Sequence, residues 1–294
     1  MTFRHLELFL EVYKTGSITK AAENLHISQP TVTRAIKDLE SYYDIHLFDR
    51  VGKHLSVTDS GRQLYHFAAQ TMDSYTLMEE SLRNGDPVRT VRIGTSISLG
   101  TFFLPRLITE FHKIHPEITV RSLIYNAKII EKALSDNELD FALIECNILN
   151  DSMILEAFSH DSLVLIMSPE NPLAAYESLT LNDIKNAPFL AREKGSINRQ
   201  IIDSIFLANG FAFDPIMESA SPHAIIEAVH ANIGISILPI NLVRDSITSG
   251  RVVTKEIANL NLSRLNYIVY RKGKIFPTSV NDLLNLCRRL GTET

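Results

Sequence analysis

The feature that most constrains the fold is a change of pattern at Asn84-Gly85-Asp86-Pro87, a run of strong helix and strand breakers. Before this run, apolar residues recur at helical spacing, whereas from Thr90 onward short apolar strands alternate with helices. Such alternation is typical of a mainly parallel sheet with helices on both faces. A chain of 294 residues, 45% of them apolar, is long enough for more than one hydrophobic core. We therefore expect a helical N-terminal part followed by a larger α/β part.

Composition and charge exclude several classes of protein. The net charge of −5 gives no indication of a nucleic-acid partner, and two cysteines, Cys146 and Cys287, are too few for a disulfide framework or a four-cysteine zinc site. Charged residues interrupt the N-terminal apolar stretch, so it does not predict a signal peptide. No run approaches the roughly 18 apolar residues of a membrane span. We expect a cytoplasmic protein that has no metal, no cofactor and no contact with the membrane.

The N-terminal segment shows the spacing and the capping residues of three short helices. The first stops at Gly16, and Ser17 can cap the second. After a tight turn, Ser28 is a good N-cap for the third helix, which carries Pro30 in its first turn, where a missing N–H costs nothing. Residues 49–57 then alternate around a glycine, which predicts a short hairpin.

Residues 59–84 predict a longer helix with a coiled-coil seam. Apolar and small residues recur there at spacings of 4, 3, 4, 3 and 4, at Leu64, Ala68, Thr71, Tyr75, Met78 and Leu82. A helix of this length can pair with a partner helix or pack on its own domain. Its position between two dissimilar regions favours self-association.

Two motifs in the N-terminal part point to DNA. The stretch SITKAAENLHISQPTVTRAIKDLE contains two helices joined by a three-residue turn, with small residues in the first and an N-cap on the second. This is the arrangement of a DNA-reading helix-turn-helix. Together with LFDRVGKHLSVTDSG downstream, residues 1–65 resemble the winged helix-turn-helix of LysR-type transcriptional regulators. Residues 90–294 resemble the regulatory domain of the same family.

The resemblance implies a fold and a set of partners. The fold class is α/β with an N-terminal, mainly helical winged helix-turn-helix, and the regulatory part has two α/β subdomains that resemble a type 2 periplasmic binding protein. The family binds double-stranded promoter DNA as a dimer or tetramer, and RNA polymerase is a further expected partner. The expected domains are a DNA-binding domain at 1–58, a dimerising linker helix at 59–88 and a regulatory domain at 89–294. Within the regulatory domain, subdomain I is expected to comprise 89–160 and 267–294, and subdomain II 161–266.

The same resemblance places the DNA contacts on the third helix and the hairpin. Residues 1–60 hold seven basic against eight acidic residues, so any positive potential there depends on their arrangement. Glutamine pairs with adenine, arginine with guanine, and threonine or proline carbons with a thymine methyl group. Alternatively, the basic residues form the solvated face of an amphipathic helix. The residues expected at base edges are Gln29, Pro30, Thr33 and Arg34, and those expected near phosphates or the minor groove are Thr31, Lys37, Arg50, Lys53 and His54, with Ser28 at the helix start in the same set.

A small polar effector is expected, again by resemblance, in a cleft between the two subdomains. The segment Thr95–Thr101, between a strand and a helix, offers hydroxyl and N–H groups that suit a carboxylate, sulfate or phosphate, and helix capping is their alternative role. Glu145 is an unusual neighbour for an anion. It can bind an amino group, pair with Arg192 or Lys194, or stay solvated, so an anionic and an amino-acid-like effector are both open. The expected lining residues are Ser96, Ser98, Glu145, Ser196, Asn198 and Ser221.

No catalytic constellation stands out in the sequence. The histidines are scattered without the HExxH spacing of a metal site, and neither a GxSxG nor a cysteine–histidine motif is present. Three classes of function remain: an effector-responsive transcription factor, a solute-binding module alone, and an enzyme. The helical N-terminal unit disfavours the second class, and the missing chemistry disfavours the third. We therefore expect a transcription factor without catalytic residues.

Overall fold

The computed structural model describes residues 1–51, 54–84, 90–145, 152–260 and 262–293. The chain divides into two compact units, Met1–Pro87 and Val88–Thr294, so the division falls within the run of breakers. None of the helices in these described ranges is long and apolar enough to cross a membrane.

The first unit is mainly helical, and its helix ends follow the predicted caps. Ser17 accepts a hydrogen bond from the backbone N–H of Lys20, and Gly16, with φ of 60°, ends the first helix in the left-handed conformation that glycine adopts without strain. The elements are α1 (Phe3–Thr15), α2 (Ile18–Asn24), α3 (Gln29–Tyr43), β1 (Phe48–Val51), β2 (His54–Val57) and α4 (Asp59–Asn84).

One apolar core joins α1, α2, α3 and the beginning of α4. Phe9, Val12 and Val32 are completely buried in it, and Ala21, also completely buried, is small enough for α2 to lie close to its neighbours. Tyr65 of α4 stacks on Tyr13 of α1, with ring centroids 3.9 Å apart. The beginning of α4 therefore belongs to the same packed body as the two helices of the helix-turn-helix.

The hairpin β1–β2 is antiparallel and pairs Phe48 with Val57, as the alternation predicts. Its base is fixed from both sides. The backbone N–H of Leu47 donates to Oε1 of Glu40 on α3 at 2.8 Å, and the Thr58 hydroxyl donates to the His46 carbonyl at 2.7 Å. These bonds tie the hairpin to the end of α3 and to the start of α4.

The predicted seam of α4 separates into two parts. Leu64 is partly buried and Ala68 fully buried in the first unit's own core, and Tyr75 stacks on Phe3 with ring centroids 4.5 Å apart. By contrast, Met78 is 50% exposed and Leu82 is 81% exposed. Packing on the same unit therefore accounts for the beginning of the seam, and the apolar residues at its end face outward.

The second unit begins with β3 and ends with α12. Its elements are β3 (Thr90–Thr95), α5 (Ile97–Phe102), α6 (Leu104–Ile114), β4 (Thr119–Ile124), α7 (Ala127–Ser135), β5 (Phe141–Ile144), β6 (Met153–Met167), a 3₁₀ turn (Pro172–Ala175), α8 (Leu181–Ile184), β7 (Leu190–Arg192), α9 (Ile197–Ala208), β8 (Met217–Ser219), α10 (Pro222–His230), β9 (Ser236–Pro239), α11 (Ile240–Thr248), β10 (Val253–Lys255), β11 (Ser263–Arg271) and α12 (Thr278–Gly291).

The main sheet has seven strands in the order β10-β6-β11-β5-β3-β4, with β9 also paired to β6. Only the pairs of β3 with β4 and with β5 are parallel, and the other four pairings are antiparallel. The expectation of a mainly parallel sheet is therefore wrong. The reason is that β6 and β11 run antiparallel to each other through the middle of the sheet.

Strand β6 belongs to both halves of this unit. Its residues from Met153 to Ser162 pair with β11, and those from Leu163 onward pair with β9 and β10. The sequence predicts only the apolar end of this strand, because four consecutive polar residues, 159–162, separate that end from the first six positions. Two further strands, β7 and β8, form a separate parallel pair.

Each half of the sheet has helices packed on both faces. In β5, Phe141 and Leu143 face one core while Ala142 and Ile144 face another, as the period of two in a strand requires. Leu165 and Ile166 of β6 divide in the same way between two further cores. The second unit thus consists of two layered α/β halves that share β6.

Gly61, in the first turn of α4, generates a test of the packing in the first unit. A Cβ at this position would lie 2.3 Å from the Leu47 carbonyl oxygen, a backbone atom. Alanine favours a helix over glycine by about 1 kcal/mol, whereas overpacking costs about 1–3 kcal/mol. We expect Gly61→Ala to lower the free energy of unfolding by up to about 2 kcal/mol in denaturant titrations, because the backbone of Leu47 must move.

Ser60→Ala, one position earlier, is the matched control and should change stability by less than about 0.5 kcal/mol. A Gly61→Ala variant more stable than the parent would contradict the close approach of α4 to the hairpin base.

Candidate functional site

The start of α3 is organised by a hydroxyl pair. Ser28 accepts from the backbone N–H of Thr31 at 3.4 Å, and the two side-chain hydroxyls are hydrogen bonded at 2.7 Å. Pro30 occupies the first turn, as predicted. Both hydroxyls remain exposed, so they cap the helix and still face solvent.

One face of α3 is polar and exposed. The opposite face buries Val32, Ala35, Ile36 and Leu39. The Thr33 hydroxyl donates to the Gln29 carbonyl at 3.0 Å, and the side chain of Arg34 is 85% exposed with its Nε 4.0 Å from Asp38. A pair at this distance and exposure holds the arginine weakly. A shallow depression on this face is lined by Gln29, Pro30, Thr33, Arg34, Lys37 and Asp38.

The hairpin carries the remaining expected DNA contacts. Arg50 lies opposite Leu55, and His54 lies opposite Val51, in the register of β1 and β2. Lys53 lies outside the described residues.

The prediction that the whole segment Thr95–Thr101 connects a strand to a helix is wrong, because most of the segment lies within α5. Thr95 is the last residue of β3, and α5 begins two residues later. Ser96 is the N-cap of α5 and accepts from the backbone N–H of Leu99 at 3.3 Å. The capping role that the sequence leaves open for this serine is therefore realised.

Three helices begin at one small cavity of the second unit. Ser96 caps α5, Asn126 caps α7 by accepting from the Ile129 N–H at 3.2 Å, and Ser196 caps α9 by accepting from the Arg199 N–H at 3.1 Å. The free space is about 20 Å³, which is enough for roughly one water molecule. The lining residues are Ser96, Ile97, Ser98, Asn126, Ala127, Glu145, Arg192, Ser196, Ile197, Asn198 and Arg264.

Five of the six residues expected at the effector cleft line this cavity. Ser221 is the exception: it is exposed and caps α10 by accepting from the Ala224 N–H at 3.3 Å. Ser98 is almost completely buried in α5, within the first turn. The first N–H groups of a helix have no carbonyl partner within the helix, and its N-terminus carries a partial positive charge, so both favour an acidic group of a ligand.

A buried group of two carboxylates and one guanidinium lies at the cavity wall. Nη2 of Arg264 lies 3.1 Å from Asp161 Oδ2 and 3.3 Å from Glu145 Oε1, and all three side chains are at most 3% exposed. Asp161 Oδ1 also accepts from the backbone N–H of Ser162 at 2.9 Å and from Asn241 Nδ2 at 3.3 Å. Burial raises the pKa of Asp161 above its usual value, against the effect of Arg264, and the nearby Glu145 raises it further.

The cation beside Glu145 is neither Arg192 nor Lys194, the two partners that the sequence leaves open, but Arg264. Arg192 pairs with its neighbour Glu193, with Nε and Oε2 2.9 Å apart, and Arg264 takes the place next to Glu145. Sequence reasoning missed Arg264. In the sequence Arg264 stands between Ser263 and Leu265, and this local pattern says nothing about its partners.

Arg199 is a second buried cation that sequence reasoning missed. Its guanidinium donates to the Arg192 carbonyl at 3.2 Å and forms ion pairs of 2.8 Å with both Asp203 and Glu218. Burial lowers the pKa of Arg199, but the hydrogen bonds that it donates to the two carboxylates raise its pKa overall. These contacts join the first turn of α9 to β7 and β8, and so fix the position of the Ser196 cap at the cavity.

Comparison with known proteins identifies the family to which this chain belongs. A model described as the LysR substrate binding domain matches residues 84–291, and one described as the bacterial regulatory helix-turn-helix protein, lysR family, matches residues 3–62. The chain belongs to the LysR family of transcriptional regulators. It is 31% identical to the uncharacterized HTH-type transcriptional regulator YeiE of Escherichia coli K12, over 98% of this chain and 97% of that protein. It is 30% identical to the RuBisCO operon transcriptional regulator of Allochromatium vinosum, over 93% of this chain and 91% of that one.

Solved structures agree with the fold of a LysR-type regulator. Full-length OxyR from Pseudomonas aeruginosa matches with a TM-score of 0.76 at 20% identity, over 98% of this chain and 95% of that chain. The CcmR regulatory domain of Synechocystis, in complex with 2-PG, matches with a TM-score of 0.65 at 22% identity, over 70% of this chain and 98% of that chain. The LysR-type regulator described here thus combines a helix-turn-helix unit with an effector-binding unit.

The next features are possible metal ligands and the cysteine thiol of the described ranges. They contain no group of three or more histidine, cysteine, aspartate or glutamate side chains able to hold a metal ion. Cys287 of α12 is fully buried, and burial raises the pKa of its thiol far above the usual value, so the reactive thiolate is suppressed. Cys146 lies outside the described residues.

The group at the cavity wall generates a stability prediction. Arg264→Met leaves Glu145 and Asp161 buried without their cation, which should cost about 3–5 kcal/mol at neutral pH. Burial already raises the pKa of Asp161, and without the opposing effect of Arg264 that pKa rises further above its unfolded value. Stability is then lost as pH rises through the folded pKa and is recovered at lower pH. Urea titrations at neutral and mildly acidic pH should show a smaller deficit in acid.

Arg288→Met is the control, because Arg288 pairs with Glu156 at 2.6 Å but is 41% exposed. Its loss should be about 1 kcal/mol or less. An Arg264→Met variant no less stable than Arg288→Met would show that Arg264 does not neutralise the two acids.

Proposed function

We propose that this LysR-type regulator binds promoter DNA as a dimer or tetramer and changes its engagement of DNA when a small polar metabolite enters the cavity at α5, α7 and α9. The observation that carries the proposal is the pairing of two features in one chain. One is the exposed polar face of α3, and the other is the cavity at which three helix N-termini meet. In this proposal the protein acts in the cytoplasm, contacts RNA polymerase, and is not an enzyme.

The polar face of α3 supports the proposed base contacts. An exposed arginine can donate two hydrogen bonds to guanine, and an exposed glutamine can pair with adenine. Gln29 and Arg34 lie on the same depression, with the carbons of Pro30 and Thr33 beside them for thymine methyl groups. The phosphate and minor-groove contacts are assigned to Ser28, Thr31, Lys37, Arg50, Lys53 and His54.

An exposed stripe on α4 supports self-association. Phe67, Thr71, Met78 and Leu82 are all exposed at spacings of 4, 7 and 4, which is the spacing of a helix-pairing seam. The exposed stripe includes Phe67 and leaves out Leu64 and Ala68 of the predicted seam, because those two residues pack in the core of their own unit. Two chains joined along this stripe present two recognition helices, and a tetramer forms when the regulatory units also pair.

The cavity supports the effector part of the proposal. Serine hydroxyls adapt to donors and acceptors alike, and helix N-termini favour acidic groups. The CcmR regulatory domain shares this fold and is described in complex with 2-PG. Because the free space is small, binding moves the three helix starts apart, and that movement is the conformational change to which DNA engagement responds.

Arg34→Ala tests the base contacts. A good bidentate contact is worth about 1–3 kcal/mol of discrimination, so the variant should lose most of its preference for a bound promoter fragment over scrambled DNA. Lys37→Ala is the matched control on the same helix, and it should weaken binding to both DNAs alike and reduce the salt dependence by about one ion. Fluorescence anisotropy at two salt concentrations measures both. Equal losses on the two DNAs in both variants would remove Arg34 from the base contacts.

Met78→Glu tests the stripe. A charge placed in an apolar seam costs several kcal/mol, so sedimentation velocity should show a shift toward monomer and DNA affinity should fall. Thr76→Glu, which adds the same charge at an exposed position off the stripe, should keep the parent's oligomeric state. An unchanged oligomeric state in Met78→Glu would assign this end of α4 to another role.

A further inference from the structure

The cavity at α5, α7 and α9 contains buried polar atoms whose hydrogen-bonding capacity is unused. Oδ1 of Asn198, Oε1 of Glu145 and Nε of Arg264 have no hydrogen-bond partner in the described part of the chain. Asn198 is only 2% exposed, and the Glu145 and Arg264 side chains are 3% exposed. The contact of 3.3 Å between Glu145 and Arg264 lacks hydrogen-bond geometry. A buried polar atom without a partner is costly, which marks these three as candidates for ligand contacts.

The orientation of the Asn198 amide is fixed by its other end. Nδ2 donates to the Ile237 carbonyl of β9 at 2.9 Å, and reversing the amide would set two oxygens against each other. Oδ1 therefore has to be the free atom. With Glu145 Oε1 it makes two acceptors at the cavity, so a ligand there must bring N–H or O–H donors.

Charge at the cavity also disfavours a simple anion. Both arginines of the lining already have acidic partners: Arg192 pairs with Glu193 behind the lining, and Arg264 is shared by Glu145, which lines the cavity, and Asp161, which does not. These five side chains carry a formal charge of +2 against −3. The positive potential comes instead from the N-termini of α7 and α9, which are nine and twelve residues long. The cavity thus has one region suited to a carboxylate and another suited to a cation.

We propose that the effector is an α-amino acid, whose ammonium group binds Glu145 and Asn198 and whose carboxylate binds the N-termini of α7 and α9 and Arg264 Nε. This inference rests on the proposed effector function of the cavity and narrows its ligand class. The ammonium group satisfies both free acceptors and offsets the surplus carboxylate, and its hydrogen bond to Glu145 is charge-assisted. A hydroxyl in the same place supplies one donor and no charge.

The test uses the full-length protein and thermal-shift screening with the proteinogenic L-amino acids, sulfate, phosphate and acetate, each at millimolar concentration. At least one amino acid should raise the unfolding temperature. Calorimetry with that amino acid, its α-hydroxy analogue and its deaminated analogue should then show at least about tenfold weaker binding of both analogues, as expected for loss of a charge-assisted hydrogen bond.

Three variants locate the contact. Glu145→Gln and, independently, Asn198→Ala should weaken amino-acid binding, the first by about tenfold to a hundredfold. Glu145→Gln should change the affinity of the deaminated analogue much less. Glu156→Gln is the matched control, because it removes a glutamate that pairs with Arg288 away from the cavity, and it should bind the amino acid like the parent.

The outcomes separate this inference from the function on which it rests. If sulfate, phosphate, acetate or a deaminated analogue binds as tightly as the best amino acid and Ser98→Ala weakens that binding, the cavity is an effector site and the amino-acid assignment is overturned. Equal binding of the hydroxy analogue also overturns it. If no compound raises the unfolding temperature, both the assignment and the proposed effector site lose their support.

Discussion

The antiparallel pairing of β6 with β11 is the constraint on which the second unit depends. Strand β6 runs through the two α/β halves, and the register of its pairing with β11 sets Arg264 directly opposite Asp161. Directly opposed residues on neighbouring strands project to the same face, so the backbone register itself creates the buried ion pair. Strand β5 pairs with the other edge of β11 and ends next to Glu145, which completes the group. The polar wall of the cavity is therefore a product of strand register.

This wall is poorly explained as a stabilising device. Desolvation of buried charges often outweighs their mutual attraction, and here two carboxylates share one guanidinium. The raised pKa of Asp161 reflects that imbalance. Around the same cavity the structure leaves two buried acceptors and one donor without partners. Groups that cost folding energy and converge on one cavity are typical of a ligand site, since a ligand can supply the missing charge and hydrogen bonds.

Features that depend on neighbouring residues were predictable from the sequence, and features that depend on distant ones were not. Ser17, Ser28 and Gly16 were correctly interpreted because helix caps involve residues only a few positions apart. The partners of Arg264 lie more than a hundred positions away, so no local pattern indicates them. The first ten residues of β6 were missed because they end in four consecutive polar residues, 159–162, a run that is typical of a loop. The cavity residues came from family resemblance, and only their roles as caps are seen directly.

In the first unit, the net charge by itself does not supply affinity for DNA. Seven basic against eight acidic residues in the first 60 leave little net attraction to phosphate, which favours the proposed recognition of paired half-sites. Helix α4 is held to α1 by the stacked pairs Tyr65–Tyr13 and Tyr75–Phe3. The proposed dimer stripe thus belongs to the same packed body as the recognition helix. Any change in the pairing of two α4 helices therefore changes the spacing of the recognition helices, and hence which half-sites they reach.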